Sequence, residues 1–250
     1  MRNRKRYSFP GEIALSVILW GLVIVPSVSP ARAATLDYLF SKIADTRTSL
    51  PGGAGNFTSL GSASIFGQNV VFGGGGSSSQ GGIYIHTGGS LNTVADHSTA
   101  IPGGIGNFAG LGSASISGGN VVFYGSGSSG QQGIYSSVGN SLSTVADRST
   151  AIPGGIGSFT SFENPSISGG NVAFTGSGMD AAAPASRSVP TNIYISRNGL
   201  LYEIIASNDT LEGKIIQSLE FGDQGLSGDS VVIQTLFMDG SQAIYRADVV

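Results

Sequence analysis

The stretch TAIPGGIGNF at residues 99–108 recurs as TAIPGGIGSF at 150–159, and a looser form, TSLPGGAGNF, stands ahead of both at 48–57. Pro51, Pro102 and Pro153 are therefore each 51 residues apart, and the agreement runs well beyond the ten letters. LGSASIFGQNVVF (60–72) becomes LGSASISGGNVVF (111–123), then ENPSISGGNVAF (163–174), and finally QGLSGDSVVI (224–233). An Ile-Tyr pair follows each block, at Ile83-Tyr84, Ile134-Tyr135, Ile193-Tyr194 and Ile244-Tyr245. A fixed period near 50 marks a repeat fold, in which one supersecondary unit is stacked because it cannot bury its own faces alone.

Each unit reads as four short strands. The first ends in SISG, the second is NVVFYG or NVAFTG, the third holds the Ile-Tyr pair and the fourth is the LxxVAD segment, with Gly, Ser and Asn at every join. Gly-Gly-Asn between the first two is a tight hairpin signal, because glycine and asparagine tolerate the positive φ such turns need. Val70-Val71-Phe72 is a continuous apolar run, as expected of a strand covered on both faces. No stretch after the first 33 residues shows sustained helical periodicity. The chain is therefore expected to be all-β, a four-bladed β-propeller of about 51-residue repeats, with a β-sandwich or an open repeat stack as the alternatives. The repeats fall at about 48–98, 99–149, 150–209 and 210–250. The last unit stops at its third strand, QAIYRADVV (242–250), while LDYLFSKIADTRT (36–48) aligns with the fourth-strand segment LNTVADHST. A strand within residues 34–47 is thus expected to close the ring against the C-terminal one.

The N-terminus opens MRNRKRYSFPGE and continues with IALSVILWGLVIV (13–25), thirteen residues without a charge. A bilayer span needs roughly 20 apolar residues, so this run suits a signal-peptide core better than an anchor. Ala31 and Ala33 place small residues where a signal peptidase reads, predicting cleavage between Ala33 and Ala34 and a domain over 34–250 with no stable membrane span. The mature chain is expected to be secreted, periplasmic or at the cell surface. Removing residues 1–33 takes away five basic residues and one acidic one, leaving 7 basic and 14 acidic. A charge near −7 offers no basic patch for phosphates, so nucleic acid is excluded as a partner. The chain has no cysteine, so its core must hold without disulfides.

The motif resembles the repeats of bacterial exported proteins whose units read NxxGxxAF, a glycine-rich turn and GIY, and more distantly the blades of TolB-like propellers. ISGGNVAF (167–174) matches the Gly and Ala-Phe positions, with Ile167 where that repeat has asparagine. The resemblance implies an exported propeller module of a largely uncharacterised kind. Many such proteins end in a Pro-Glu-Pro sorting tail, whereas this chain ends Asp248-Val249-Val250.

Candidate sites are few. PGGIG lacks the strand before it, the helix after it and the downstream acid of a dinucleotide fingerprint, and reads instead as a joint between units. Asp45, Asp96 and Asp147 occupy one place in three units, as weak metal candidates or as Asx-type turns. His86 and His97 have no evident base, ligand or nucleophile nearby, and the four repeat tyrosines read as packing residues. Unit 3 is longer than the others by an insertion in MDAAAPASRSVPTN (179–192), where Met179, Asp180 and Arg187 are either a binding loop or slack. Two function classes follow. One is a non-catalytic binding or structural module for an unknown extracellular ligand or protein, with no catalytic residue, cofactor or metal assigned. The other is a carbohydrate-active hydrolase or lyase, whose paired carboxylates would come from Glu163, Glu203, Glu212, Glu220, Asp223 and Asp229.

Overall fold

A computed structural model describes residues 4–5, 38–155, 157–178, 191–222 and 224–249. The chain divides into two compact units, residues 1–43 and 44–250. In the first, strand β1 (Arg4–Lys5) pairs antiparallel with β2 (Tyr38–Leu39). The apolar leader core, Ala33 and Ala34 lie outside the described residues.

The second unit is all-β. Its first sheet is a meander of β3 (Phe57–Phe66), β4 (Asn69–Gly76), β5 (Gly81–Thr87) and β6 (Ser90–Asp96). The second repeats it with β7 (Phe108–Ser117), β8 (Asn120–Gly127), β9 (Gln132–Val138) and β10 (Ser141–Asp147). A third repeat follows in β11 (Phe159–Ser168), β12 (Asn171–Gly178), β13 (Thr191–Arg197) and β14 (Leu200–Ile205). All pairings are antiparallel. The β3–β4 hairpin turns through Gly67 at φ 60° and Gln68, positive φ falling on the first loop residue only, the arrangement that matches right-handed strand twist.

Each of these three sheets builds the same aromatic triad. Phe57, Phe72 and Tyr84 pack with ring centroids 4.8–6.0 Å apart. Phe108, Phe123 and Tyr135 do the same at 4.9–6.0 Å, as do Phe159, Phe174 and Tyr194 at 4.8–6.0 Å. The triad of one sheet meets the aliphatic face of the sheet before it. Phe108, Phe123 and Tyr135 join Val71, Ile83 and Ala95, while Phe159, Phe174 and Tyr194 join Val122, Ile134 and Ala146. This explains the unbroken Val-Val-Phe runs, because both faces of β8 and β12 are covered and alternation would bury polar groups. Hydrogen bonds tie neighbouring sheets at one edge: Asn69 Nδ2 donates to Gly118 O (2.8 Å), the Gly169 N–H to Ser117 Oγ (2.9 Å) and the Gly228 N–H to Ser168 Oγ (2.7 Å).

The fourth sheet departs from the pattern. Where the others have one ten-residue first strand, β16 (Lys214–Glu220) and the short β17 (Leu226–Ser227) share one side of β18 (Ser230–Phe237). Residues 221–225 interrupt them, and β15 (Thr210–Leu211) adds a short hairpin on β16. β19 (Gln242–Asp248) lies on the other side of β18. The sheet packs on the third through Ile216, Leu219, Val231 and Ile233.

The strand expected within residues 34–47 to close the ring is not formed among the described residues. Only Tyr38–Leu39 is extended, and its backbone groups are taken up by Arg4–Lys5. β19 keeps one free edge among the described residues, and Ile244 on it is 74% exposed. The same difference shows on the first sheet. Ile65 is 66% exposed, whereas its counterparts Ile116 and Ile167 are 4% and 7% exposed against the preceding sheet. Among the described residues the fourth sheet reaches the first through a side-chain hydrogen bond, from Gln224 Nε2 to Ser64 Oγ at 3.1 Å.

Candidate functional site

The residue pattern that sets the period also builds a repeated cavity. At the end of β6, Asp96 Oδ1 accepts from the Ser98 N–H (2.9 Å), Ser98 Oγ (2.6 Å) and Thr99 Oγ1 (2.9 Å), while the Asp96 N–H donates to Thr99 Oγ1 (3.0 Å). Asp147 makes the same set with Ser149 and Thr150, and Asp45 the corresponding bonds with Arg47 and Thr48. The three aspartates thus close three separate turns, and the structure does not bring them together. Burial alone would raise the carboxyls of Asp96 and Asp147, but the bonds from the following Ser and Thr outweigh it and hold both below the ordinary carboxylate range.

The joint then turns back over the sheet. The Ile101 N–H donates to Gly106 O (3.0 Å) and the Phe108 N–H to Thr99 O (3.0 Å). Thr144 Oγ1 fastens the loop from below by donating to Pro102 O (2.8 Å), as Thr93 Oγ1 does to Pro51 O (2.7 Å). The Gln131 carboxamide, oriented to match its surroundings, donates to Ile105 O (2.8 Å) and accepts from the Ile105 N–H (2.7 Å), and Gln80 clasps Ala54 likewise. His97 Nδ1 donates to Ser79 O (2.6 Å); Arg148, its counterpart one repeat later, donates to the equivalent Gly130 O (2.9 Å) and to Thr160 O of β11.

Enclosed between joint and turn are cavities of about 290 Å³ in the first repeat and about 340 Å³ in the second. Their walls are matched pairs: Leu50 and Ile101, Gly52 and Gly103, Tyr84 and Tyr135, Asp96 and Asp147. Tyr84 and Tyr135 are only 2% and 1% exposed, and neither hydroxyl has a hydrogen-bond partner among the described residues. Burial and the neighbouring aspartate raise both phenols, Tyr135 to about 12. Asp96 and Asp147 likewise accept only through Oδ1 among the described residues.

The third repeat carries a cavity of about 220 Å³ at the same place, with a polar side chain added to its wall. Asn192, where the first two repeats have Gly82 and Gly133, donates through Nδ2 to Tyr194 Oη (3.2 Å) and to Glu203 Oε2 (2.8 Å). Its Oδ1 accepts from the Ser207 N–H (3.3 Å).

Other expected positions fall elsewhere. Met179, Asp180, Arg187 and Asp223 lie outside the described residues. His86 on β5 is half-buried, with Nδ1 enclosed and unpartnered. Glu163 and Glu220 line one cavity of about 560 Å³, both side chains exposed. Asp229 is engaged by Asn171 and by Arg197 (3.1 Å), and Glu203 by Asn192. The paired tyrosine cavities escaped sequence reasoning because the Ile-Tyr tyrosines read as core. Their rings are core, and the signal lay in glycine giving way to asparagine one residue before Ile193.

No curated protein sequence matches this one. A solved structure with likeness is Sqt1 of Saccharomyces cerevisiae, at 13% identity and a TM-score of 0.33, over 76% of this chain and 48% of that one. The chain thus spans about half the length of that structure, and at that score the likeness carries no weight for fold or function. The match that identifies the chain is to a family over residues 36–225, three full repeats and part of the fourth: this protein belongs to the family of unknown function DUF7453.

Proposed function

We propose that this chain is an exported, non-catalytic binding module carried on a four-bladed propeller. The observation that carries the proposal is the cavity built twice at a 51-residue interval, each time around a tyrosine whose ring is buried and whose hydroxyl opens onto the cavity without a hydrogen-bond partner among the described residues. A hydroxyl that no protein group engages keeps its donor and acceptor capacity for a partner from outside the chain, and its recurrence at the same place in two repeats favours that reading. The test is thermal denaturation of the full chain against saccharides, cations and nucleotides. A ligand at 100 times its Kd adds about 2.7 kcal/mol to stability. The expected outcome is a saturable rise in Tm that Tyr84→Phe and Tyr135→Phe diminish; a shift indifferent to both substitutions would refute this assignment.

Ring closure is supported by the Gln224–Ser64 bond and by the Asp45–Thr48 turn, which repeats the turn that follows β6 and β10. Cleavage after Ala33 would remove Arg4–Lys5, the partner of Tyr38–Leu39, and release that segment to pair with β19. Export itself rests on the basic N-terminus, the apolar run and the Ala33-Ala34 junction. N-terminal sequencing of the protein recovered outside the cytoplasm is expected to begin at Ala34.

The hydrolase reading retains one specific support, the shared cavity of Glu163 and Glu220. Polysaccharide cleavage lost in both Glu163→Gln and Glu220→Gln would establish it. Both side chains are exposed to solvent, and no cleavage is expected.

A further inference from the structure

The Asn192 carboxamide shows what satisfies the tyrosine of this cavity: a neutral N–H donor shared between a phenol oxygen and a carboxylate. In the first two repeats glycine stands in its place. A Cβ on Gly82 would lie 2.9 Å from Tyr84 Oη, and one on Gly133 would lie 3.1 Å from Tyr135 Cζ. A side chain at either position would therefore cover the phenol, and the glycines leave it to be reached from the cavity.

We propose that the cavities of the first two repeats are a matched pair of sites for a neutral saccharide unit, two per chain, and that Asn192 takes the ligand's place in the third. The proposal rests on the binding-module reading above and adds to it the ligand class and the number of sites. The chemistry selects against negative charge. An anion would face the carboxylate of Asp96 or Asp147 in the wall of each cavity, while Arg148 is held to Gly130 O and Thr160 O and His97 Nδ1 to Ser79 O. What remains for a ligand is acceptor capacity: the tyrosine Oη and the Oδ2 of Asp96 or Asp147, both suited to sugar hydroxyls. Proline and glycine of the joint, Pro51, Gly52 and Gly53 in the first repeat, supply a C–H surface for the apolar face of a pyranose ring. Cavities of about 290 and 340 Å³ lie at the small end of ligand pockets and fit one ring, not an extended chain. Two such sites on one chain would bind weakly alone and strongly to a surface that presents many copies of the sugar.

The experiment titrates the full chain with cellobiose, chitobiose and mannobiose, reading stoichiometry by calorimetry and site identity from the backbone amides of Gly82 and Gly133 by NMR. The expected result is two sites for one of the three disaccharides, with both amides moving. Tyr84→Phe and Tyr135→Phe each weaken one site about tenfold and leave Tm unchanged, since no protein group bonds either hydroxyl. Asn192→Gly raises the count to three. Binding unaffected by the tyrosine substitutions overturns the sites. Binding of short neutral peptides at those amides, with no disaccharide bound, overturns the saccharide class and leaves the module reading standing. No response at either amide to disaccharide, peptide, nucleotide or cation overturns both.

Discussion

Tyr135 does two jobs that pull its surroundings in different directions. Its ring belongs to a triad with Phe108 and Phe123, while its hydroxyl opens onto the cavity. Packing of the ring is unforgiving, and Gly125 is where that is easiest to measure. A Cβ there would sit 2.5 Å from Phe108 Cε1 and 3.0 Å from Tyr135 Cδ2, both buried and unable to yield. Gly125→Ala is expected to cost about 1–3 kcal/mol through overpacking, measured by urea denaturation; a neutral result would mean that the triad is loose. The aspartates give a second prediction at this scale. Asp96 and Asp147 have folded pKa values below the ordinary 3.8 because hydrogen bonds from Ser and Thr outweigh burial. The unfolded chain therefore binds more protons between the two values, so the stability these groups provide is complete above 3.8 and is lost as pH falls through their lower folded values. Asp96→Asn with Asp147→Asn is expected to flatten the acid limb of the stability–pH curve below about pH 4 and to leave its neutral region less stable.

The joint between sheets is the element on which fold and site both depend. Gln131 holds it with two hydrogen bonds to the backbone of Ile105, and Gln80 does the same one repeat earlier, whereas the third repeat has Pro190 at that position. Gln131→Ala removes both bonds, at about 0.5–1.5 kcal/mol each. The amides of residues 103–106 are then expected to exchange faster while those of β8 and β9 hold their protection. Equal acceleration throughout the second sheet would instead make the clamp part of the global fold. The strands were legible because their signals are local: Gly-Gly-Asn hairpins, Val-Val-Phe runs and Ile-Tyr pairs each declare themselves within a few residues. The interrupted first strand of the fourth sheet was not, since its break at a turn closed by the Gly225 N–H on Gly222 O has no counterpart in the three earlier units from which the pattern was read. The site was half legible. The tyrosines and the Gly82, Gly133 and Asn192 alternation stand in the sequence, but whether a phenol meets a protein partner depends on how a loop about 30 residues upstream folds over it.

At the scale of the whole repeat domain, the question is whether the sheets form a line or a ring. Among the described residues, apolar interfaces join the first sheet to the second, the second to the third and the third to the fourth, while the Gln224–Ser64 hydrogen bond joins the fourth to the first. In a line, stability is a sum of units and nearest-neighbour interfaces, and the two end units, with one neighbour each, open first. In a ring every sheet has two neighbours and the ends disappear. Exposed Ile65 on the first sheet and Ile244 on β19 are the two faces that closure would cover, and burial of two such side chains is worth about 1.5–3 kcal/mol each. Hydrogen exchange on residues 34–250 and on a chain trimmed to 48–250 separates the two cases. If the segment before Asp45 completes the fourth sheet, the longer chain protects all four sheets about equally. The trimmed one then loses protection in β18, β19 and β3 while β8 and β12 stay slow. If both chains show the same gradient, highest in the second and third sheets and lowest at the ends, the domain is an open stack. In that case β19 presents a bare edge, and adding a strand from another chain is the expected way to satisfy it.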